Sequence, residues 1–254
     1  MKKISIVYTY FNQHQMLNVL FKYYDKFLDK SIQDKINFII VDDCSHEYPA
    51  HNYFPKTKNL NFEIWRTDYK KFNVAGARNL GVIKSRADNI VSVDIDMILT
   101  NNLLYEILNC KLTNNEYKRF LREGPLSIDL ENNLFLYKQI ASPVYIKREL
   151  YMKYPMDEDF NNHYGYEDEY FKDILKYNKI KSSFFTNRIV MYPIYIKDRN
   201  LGKTPRNNPG YTIGLDREGD VKINYDLYCE KKKNFITPTM QLNFNYKLTM
   251  SNYA

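Results

Sequence analysis

The chain has 254 residues, enough for one large α/β domain or two small ones with a sizeable core. Aromatic residues make up 16% of it, while glycine and proline number only eight and nine, which excludes a low-complexity, collagen-like or disordered chain. A formal net charge of +7 calls for an anionic partner, whether nucleic acid, a phosphorylated small molecule or an acidic membrane surface.

At the N-terminus, MKKISIVYTYFN sets two lysines before an apolar run that Ser5, Thr9 and the tyrosines break too early for a signal peptide. The β-branched and aromatic run Ile4 to Tyr10 predicts a strand. Met16, Leu17, Leu20, Tyr23, Tyr24, Phe27 and Leu28 follow at helical spacing. INFIIVDD predicts a second buried strand, NFEIWRT a third, NVAGARNLGVIKS a helix and NIVSVDID a fourth strand. Apolar strands separated by helices imply a mostly parallel sheet covered on both faces. Further along come a helix near Asn102 capped by Thr100, a short strand feeding a short helix in SPVYIKRELYMKYP, a helix in YEDEYFKDILKYN and a last strand in RIVMYPIYI. KDRNLGKTPRNNPGYTIG mixes turn formers with cations and predicts a mobile loop, and from Leu215 onward the chain is polar and basic with weak pattern. Cys44, Cys110 and Cys229 are odd in number, far apart and without a CxxC pair, which suits a reducing compartment. No window approaches the ~20 apolar residues of a transmembrane helix. The expectation is a cytoplasmic chain whose membrane contact, if any, is peripheral.

In such sheets ligands bind beyond the carboxyl ends of the strands. Three expected strand ends are polar: Thr9 to Asn12, Asp42-Asp43-Cys44-Ser45, and Asp94-Ile95-Asp96. As strand residues i and i+2, Asp94 and Asp96 would share a face, and charges that close suit a hard cation such as Mg²⁺ or Mn²⁺ between them. The alternative is one aspartate capping the next helix and the other solvated, although Thr100 is better placed as the cap. Asp43 stands where a carboxylate can accept from a uracil imide and Phe11 where a ring can stack on the base; an Asx-turn explains the same aspartates without a ligand. Ala75, Gly76 and Ala77 open a helix whose free amides and Arg78 suit an anion, or they serve only close helix–sheet packing. Glu167 and Asp168 lie in the first turn of a helix, where the dipole favours carboxylates; the functional alternative is a general base at a pocket floor. His163 beside them reads as structural.

Taken in order, ISIVYTYFN, IIVDDCS, VAGARNLGV, VSVDIDM and GYEDEYF resemble the family 2 glycosyltransferases of the GT-A fold, over roughly Ile4 to Asp198. The last two motifs look most like the bacterial chondroitin-polymerase and galactosyltransferase branch. The resemblance implies a Rossmann-like, mostly parallel sheet flanked by helices, with a smaller irregular acceptor-side region. It places the catalytic domain at 1–215, with a nucleotide-binding half at 1–100 and an acceptor half and loop at 101–215, followed by an extension at 216–254. Thr9, Phe11 and Asp43 would hold uridine, and Arg78 would lie near the nucleotide or donor sugar. Asp94 would meet the ribose and the metal, with Asp96 as the direct metal ligand. Asp168 would be the base, and Glu167 would contact the acceptor or donor sugar. Three positions depart from the pattern: Phe11 replaces tyrosine, Cys44 replaces the glycine of DDGS, and no histidine follows His163 to reach the metal, which leaves Asp198 as the nearest carboxylate for that place. Lys203 and Arg206 would close the basic loop over a diphosphate, unless that loop is simply solvated.

The activity so implied is inverting transfer of a hexosyl or N-acetylhexosaminyl group from a nucleotide sugar, with UDP as the expected nucleotide, to a hydroxyl of a glycan or other acceptor. Mn²⁺ or Mg²⁺ would assist, and nucleic acid is not an expected partner. Two other readings stay open. VDIDMILT also resembles the first motif of haloacid-dehalogenase-type phosphatases, with Asp94 as nucleophile and Asp96 as acid, but that family prefers threonine or valine at Ile98 and begins its core sheet with this strand. A basic, tyrosine-rich, non-catalytic carbohydrate-binding module leaves the acids at the strand ends unexplained, and no nucleic-acid-binding signature accompanies it.

Overall fold

The first strand, Ile4–Tyr10, is buried on both faces along its whole length, so its sequence is largely apolar and the buried Ser5 hydroxyl is satisfied by Asn37 Oδ1 at 2.7 Å. It pairs in parallel with Ile36–Asp42 on one side and with Asn89–Asp94 on the other. In this computed structural model residues 3–69, 71–123, 128–129, 134–135, 139–191 and 217–252 are described. In chain order the elements are β1 (Ile4–Tyr10), α1 (His14–Phe27), α2 (Lys30–Gln33), β2 (Ile36–Asp42), α3 (Ala50–Tyr53), β3 (Phe62–Thr67), α4 (Val74–Lys84), β4 (Asn89–Asp94), β5 (Met97–Ile98) and α5 (Asn101–Asn109). There follow β6 (Glu116–Glu123), β7 (Ile128–Asp129), β8 (Leu134–Phe135), β9 (Gln139–Lys147), α6 (Arg148–Lys153), α7 (Glu167–Tyr177), β10 (Lys181–Phe184), β11 (Ile189–Met191), α8 (Arg217–Lys231) and β12 (Tyr246–Ser251).

Among the described residues the main sheet runs β12-β3-β2-β1-β4-β9-β6-β11-β5, with β10 beside β6. The half containing β3, β2, β1 and β4 is parallel, whereas β9 pairs antiparallel with both β4 and β6. Helix α1 buries Met16, Leu17, Leu20, Phe21 and Tyr24 on one face of the sheet. On the other face α4 packs against Val7, Ile39 and Val41 through Ala77 and Leu80. Gly81 lets α4 come this close, because a Cβ there would overlap Val7 Cγ1. The cap of α4 is Asn73, whose Oδ1 accepts from the Gly76 N–H at 2.9 Å. Thr100 caps α5 as its position suggested.

Three local features differ from the sequence pattern. Strand β4 ends at Asp94, and Ile95–Asp96 form a turn rather than two more strand residues, so the two aspartates do not alternate on one pleat. Strand β6 escapes period-two reading because its register shifts between Arg119 and Leu121. The weakly patterned tail supplies α8 and β12. α8 has Asn224 as its most buried side chain and β12 is an exposed edge strand, so neither carries a clear apolar period. Of RIVMYPIYI only residues 188–191 are described, with Ile189–Met191 as β11. No helix of the described residues is long and apolar enough to cross a membrane.

Candidate active site

Because β2, β1 and β4 are parallel neighbours, their carboxyl ends open at one edge, and a cavity of about 200 Å³ lies there. Its wall takes Thr9 from β1, Phe11 and Gln13 from just beyond it, Asp43 from the end of β2, Asp94 from β4 and Ile95 from the turn after it, Arg78 from α4 and Ser142 from β9. Glu167 and Asp168 enter from the first turn of α7, and Phe72 and Tyr164 stand at the side with rings stacked 6.1 Å apart.

The two aspartates of IIVDDCS divide their work. Asp42 accepts from the backbone N–H groups of Ser45 and Ala50, both at 2.8 Å, and so closes the loop after β2, which is the turn role the sequence allowed. Asp43 faces the cavity, with Oδ2 accepting from the Asn73 N–H at 2.6 Å. Burial pushes the Asp43 carboxyl up to about 7, against the Asn73 hydrogen bond and reinforced by the charge of Asp42. Cys44, just after them, has φ 52°, which explains why glycine suits that place in the DDGS pattern.

Arg78 is the cation at the centre. Its Nη2 donates to Asp94 Oδ1 at 2.6 Å and its Nη1 to Glu167 Oε1 at 3.0 Å, so one guanidinium joins the end of β4 to the start of α7. Asp94 Oδ2 accepts from the Ser142 hydroxyl at 2.7 Å. Glu167 is 7% exposed, and its Oε2 is buried with no hydrogen-bond partner among the described residues. Asp168 is held above the ordinary carboxylate range, first by burial and then by the charge of Glu167, with Arg78 acting in the opposite direction.

Thus Thr9, Phe11, Asp43, Arg78, Asp94, Glu167 and Asp168, selected from the sequence, line one cavity. Asp96 is buried at 4% exposure and is not part of the cavity lining; the turn after Asp94 sets Ile95 there instead. Asp198, Lys203 and Arg206 lie outside the described residues. Sequence reading missed Phe72, Ser142 and Tyr164. Ser142 carries no motif of its own, and the aromatic pair is assembled from segments 92 residues apart, so only the tertiary fold joins them.

A divalent cation was expected between the acids. Both Asp94 oxygens are hydrogen-bonded, to Arg78 and to Ser142, and no group of three or more His, Cys, Asp or Glu among the described residues is placed to hold a metal.

No family model and no curated protein sequence matches the chain. Solved structures do match in fold. S. aureus TarS 1–349 in complex with UDP-GlcNAc aligns over 91% of this chain and 67% of its own, at 13% identity and a TM-score of 0.61. Another structure of S. aureus TarS 1–349 aligns over 75% of this chain at 15% identity and a TM-score of 0.53, and there the chain spans 60% of the fragment's length. The fold is of the GT-A type. GalNAc-T7 with UDP, GalNAc and Mn²⁺ aligns over 76% of this chain and 44% of its own, at 13% identity and a TM-score of 0.59. The mannosyltransferase PcManGT from Pyrobaculum calidifontis, in complex with GDP-Man and Mn²⁺, aligns over 92% of this chain and 76% of its own, at 12% identity and a TM-score of 0.57.

Proposed function

We propose that the chain is a glycosyltransferase that moves a sugar from a nucleotide-sugar donor, with UDP as the nucleotide, to an acceptor hydroxyl with inversion, and that it is akin to the family 2 enzymes its motifs resemble. The observation that carries this reading is the single cavity at the ends of β1, β2 and β4 that also receives the first turn of α7. The UDP, UDP-GlcNAc and GDP-Man complexes among proteins of this fold support a nucleotide-sugar donor.

In the reaction Asp168 takes the proton of the acceptor hydroxyl as its oxygen attacks the anomeric carbon. The new C–O bond forms as the bond to the diphosphate breaks, and the nucleoside diphosphate departs. A carboxyl held above its ordinary range suits this role, because it is a stronger base than a free aspartate. Asp43 and Thr9 face the nucleobase side with Phe11 as the stacking ring. Arg78, held between Asp94 and Glu167, lies beside the donor. Glu167 Oε2, buried and open to a donor, suits a sugar hydroxyl. The Mn²⁺ in two of the matching structures supports a divalent cation with the donor, but the described residues set out no ligands for it and no step is derived through one. The phosphatase reading needs Asp94 as a free nucleophile, whereas both of its oxygens are engaged.

Thermal stabilisation by a panel of nucleotide sugars, each with Mn²⁺ and with chelator, tests the proposal, followed by detection of the transferred sugar. Stabilisation by a UDP-sugar is expected. Stabilisation by none of the panel, together with hydrolysis of a phosphate ester, would overturn it.

A further inference from the structure

The mechanism above makes no use of α8. We propose that Asn224, on that helix, is a positioning residue that holds the backbone turn from which Glu167 and Asp168 are aimed into the cavity, an inference that rests on the glycosyl-transfer reading of that pair. Asn224 is 1% exposed, and its Nδ2 donates to the Gly165 carbonyl at 2.8 Å and to the Phe160 carbonyl at 3.2 Å. Both partners are acceptors, so only the amide nitrogen can face them, and the side chain is fixed in one orientation.

The turn needs such a hold. Gly165 has φ 94° and Tyr166 has φ 69°, two left-handed residues in succession, the second bearing a side chain that disfavours that conformation. Tyr166 makes no side-chain cap to α7, so the helix start has no local lock of its own. A backbone in this state persists only where the surroundings over-determine it. Helix α8 supplies those surroundings: the Tyr166 ring packs on Tyr228 and Tyr225 at 5.2 and 5.3 Å, and Val221 lies over Gly165. At its far end the Tyr228 hydroxyl donates to Asp173 Oδ2 at 2.7 Å, and Lys232 pairs with the same carboxylate at 3.0 Å, which ties the two helices together independently of Asn224.

The test uses the full chain and compares Asn224→Leu with Tyr228→Phe, which removes the bond to Asp173 but keeps the rings packed. For Asn224→Leu, kcat is expected to fall about tenfold or more while UDP affinity stays within about twofold, and deuterium uptake across residues 160–171 is expected to quicken while β1 is unchanged. For Tyr228→Phe, kcat should stay within about twofold. A wild-type kcat in Asn224→Leu, a parallel loss of UDP affinity, or an equal loss in Tyr228→Phe would overturn the assignment. If the wild-type chain transfers no sugar at all, the reading of the Glu167–Asp168 pair fails, and unchanged deuterium uptake in Asn224→Leu then overturns the positioning as well. Should Asn224→Leu not fold, Asn224→Ser, too short to reach both carbonyls, takes its place with the same outcomes.

Discussion

Asp168 illustrates how position alters a side chain's chemistry: an aspartate at a solvated helix start is a weak base, whereas this one is half-buried next to Glu167 and held above its ordinary range. Asp168→Asn should lower kcat by ~10²-fold or more and leave UDP binding nearly intact, measured by turnover and by calorimetry. Because the base works deprotonated, the acid limb of the kcat profile should lie well above the ordinary carboxylate value of about 4. Asp43 bears on stability. Folded, it keeps its proton up to about 7, whereas the unfolded chain releases it near about 4, so the folded state binds more protons in that window. Its contribution to stability is whole below pH about 4 and is lost as pH rises through about 7. Melting temperature followed from pH 4 to 7 should therefore decline less steeply in Asp43→Asn, whose amide oxygen still accepts from Asn73. Cys44 bears a different strain. Its left-handed backbone costs about 1–2 kcal/mol in an L-residue, against the ~0.4–1 kcal/mol that a glycine adds to unfolded-chain entropy. Cys44→Gly should gain about 0.5–1 kcal/mol in chemical denaturation, and a loss would contradict the strain argument.

Among the elements, α4 does most to shape the site, because it carries Arg78 on the side that faces β4 and α7 while Gly81 seats it on β1. Gly81→Ala improves helix propensity by about 0.5–1 kcal/mol, yet its methyl meets Val7, a buried β-branched residue with little freedom to turn aside. Overpacking of this kind costs about 1–3 kcal/mol, so a net loss of stability is expected in urea titration. A gain would mean that α4 can lift from the sheet without penalty. Helix α7 works differently: three acids, Glu167, Asp168 and Glu169, crowd its first turn, where the dipole tolerates them, and their mutual repulsion helps to keep Asp168 basic.

At the scale of the whole molecule, Arg78 links the end of β4 to the start of α7. It is 3% exposed and joins Asp94 to Glu167, while nearby the Asn162 N–H donates to the Phe72 carbonyl at 2.7 Å. Replacing one member of a buried ionic group leaves uncompensated charge, so Arg78→Met should lose ~3–5 kcal/mol of stability by urea denaturation. A near-neutral result would show that solvent reaches the two carboxylates freely. The tail joins the same body: β12 extends the sheet beside β3, and the Gln241 and Leu242 N–H groups donate to Glu158.

The sequence by itself determined the parallel core and its polar edge, because apolar runs separated by helical periods leave few other arrangements and polar residues cluster where those runs stop. It also marked Asp43, Arg78, Asp94, Glu167 and Asp168, since each sits at a strand end or a helix start whose chemistry is local. Only the tertiary structure decided that Asp42 closes a loop while Asp43 faces the cavity, and that the chain turns after Asp94 and sends Asp96 elsewhere. It likewise decided that Ser142, Phe72 and Tyr164 complete the wall and that α8 buttresses the turn ahead of Glu167. The physical reason is range: periodicity and capping act within a few residues, whereas these placements depend on hydrogen bonds and packing between segments as many as 92 residues apart, as from Phe72 to Tyr164, and no local pattern encodes them.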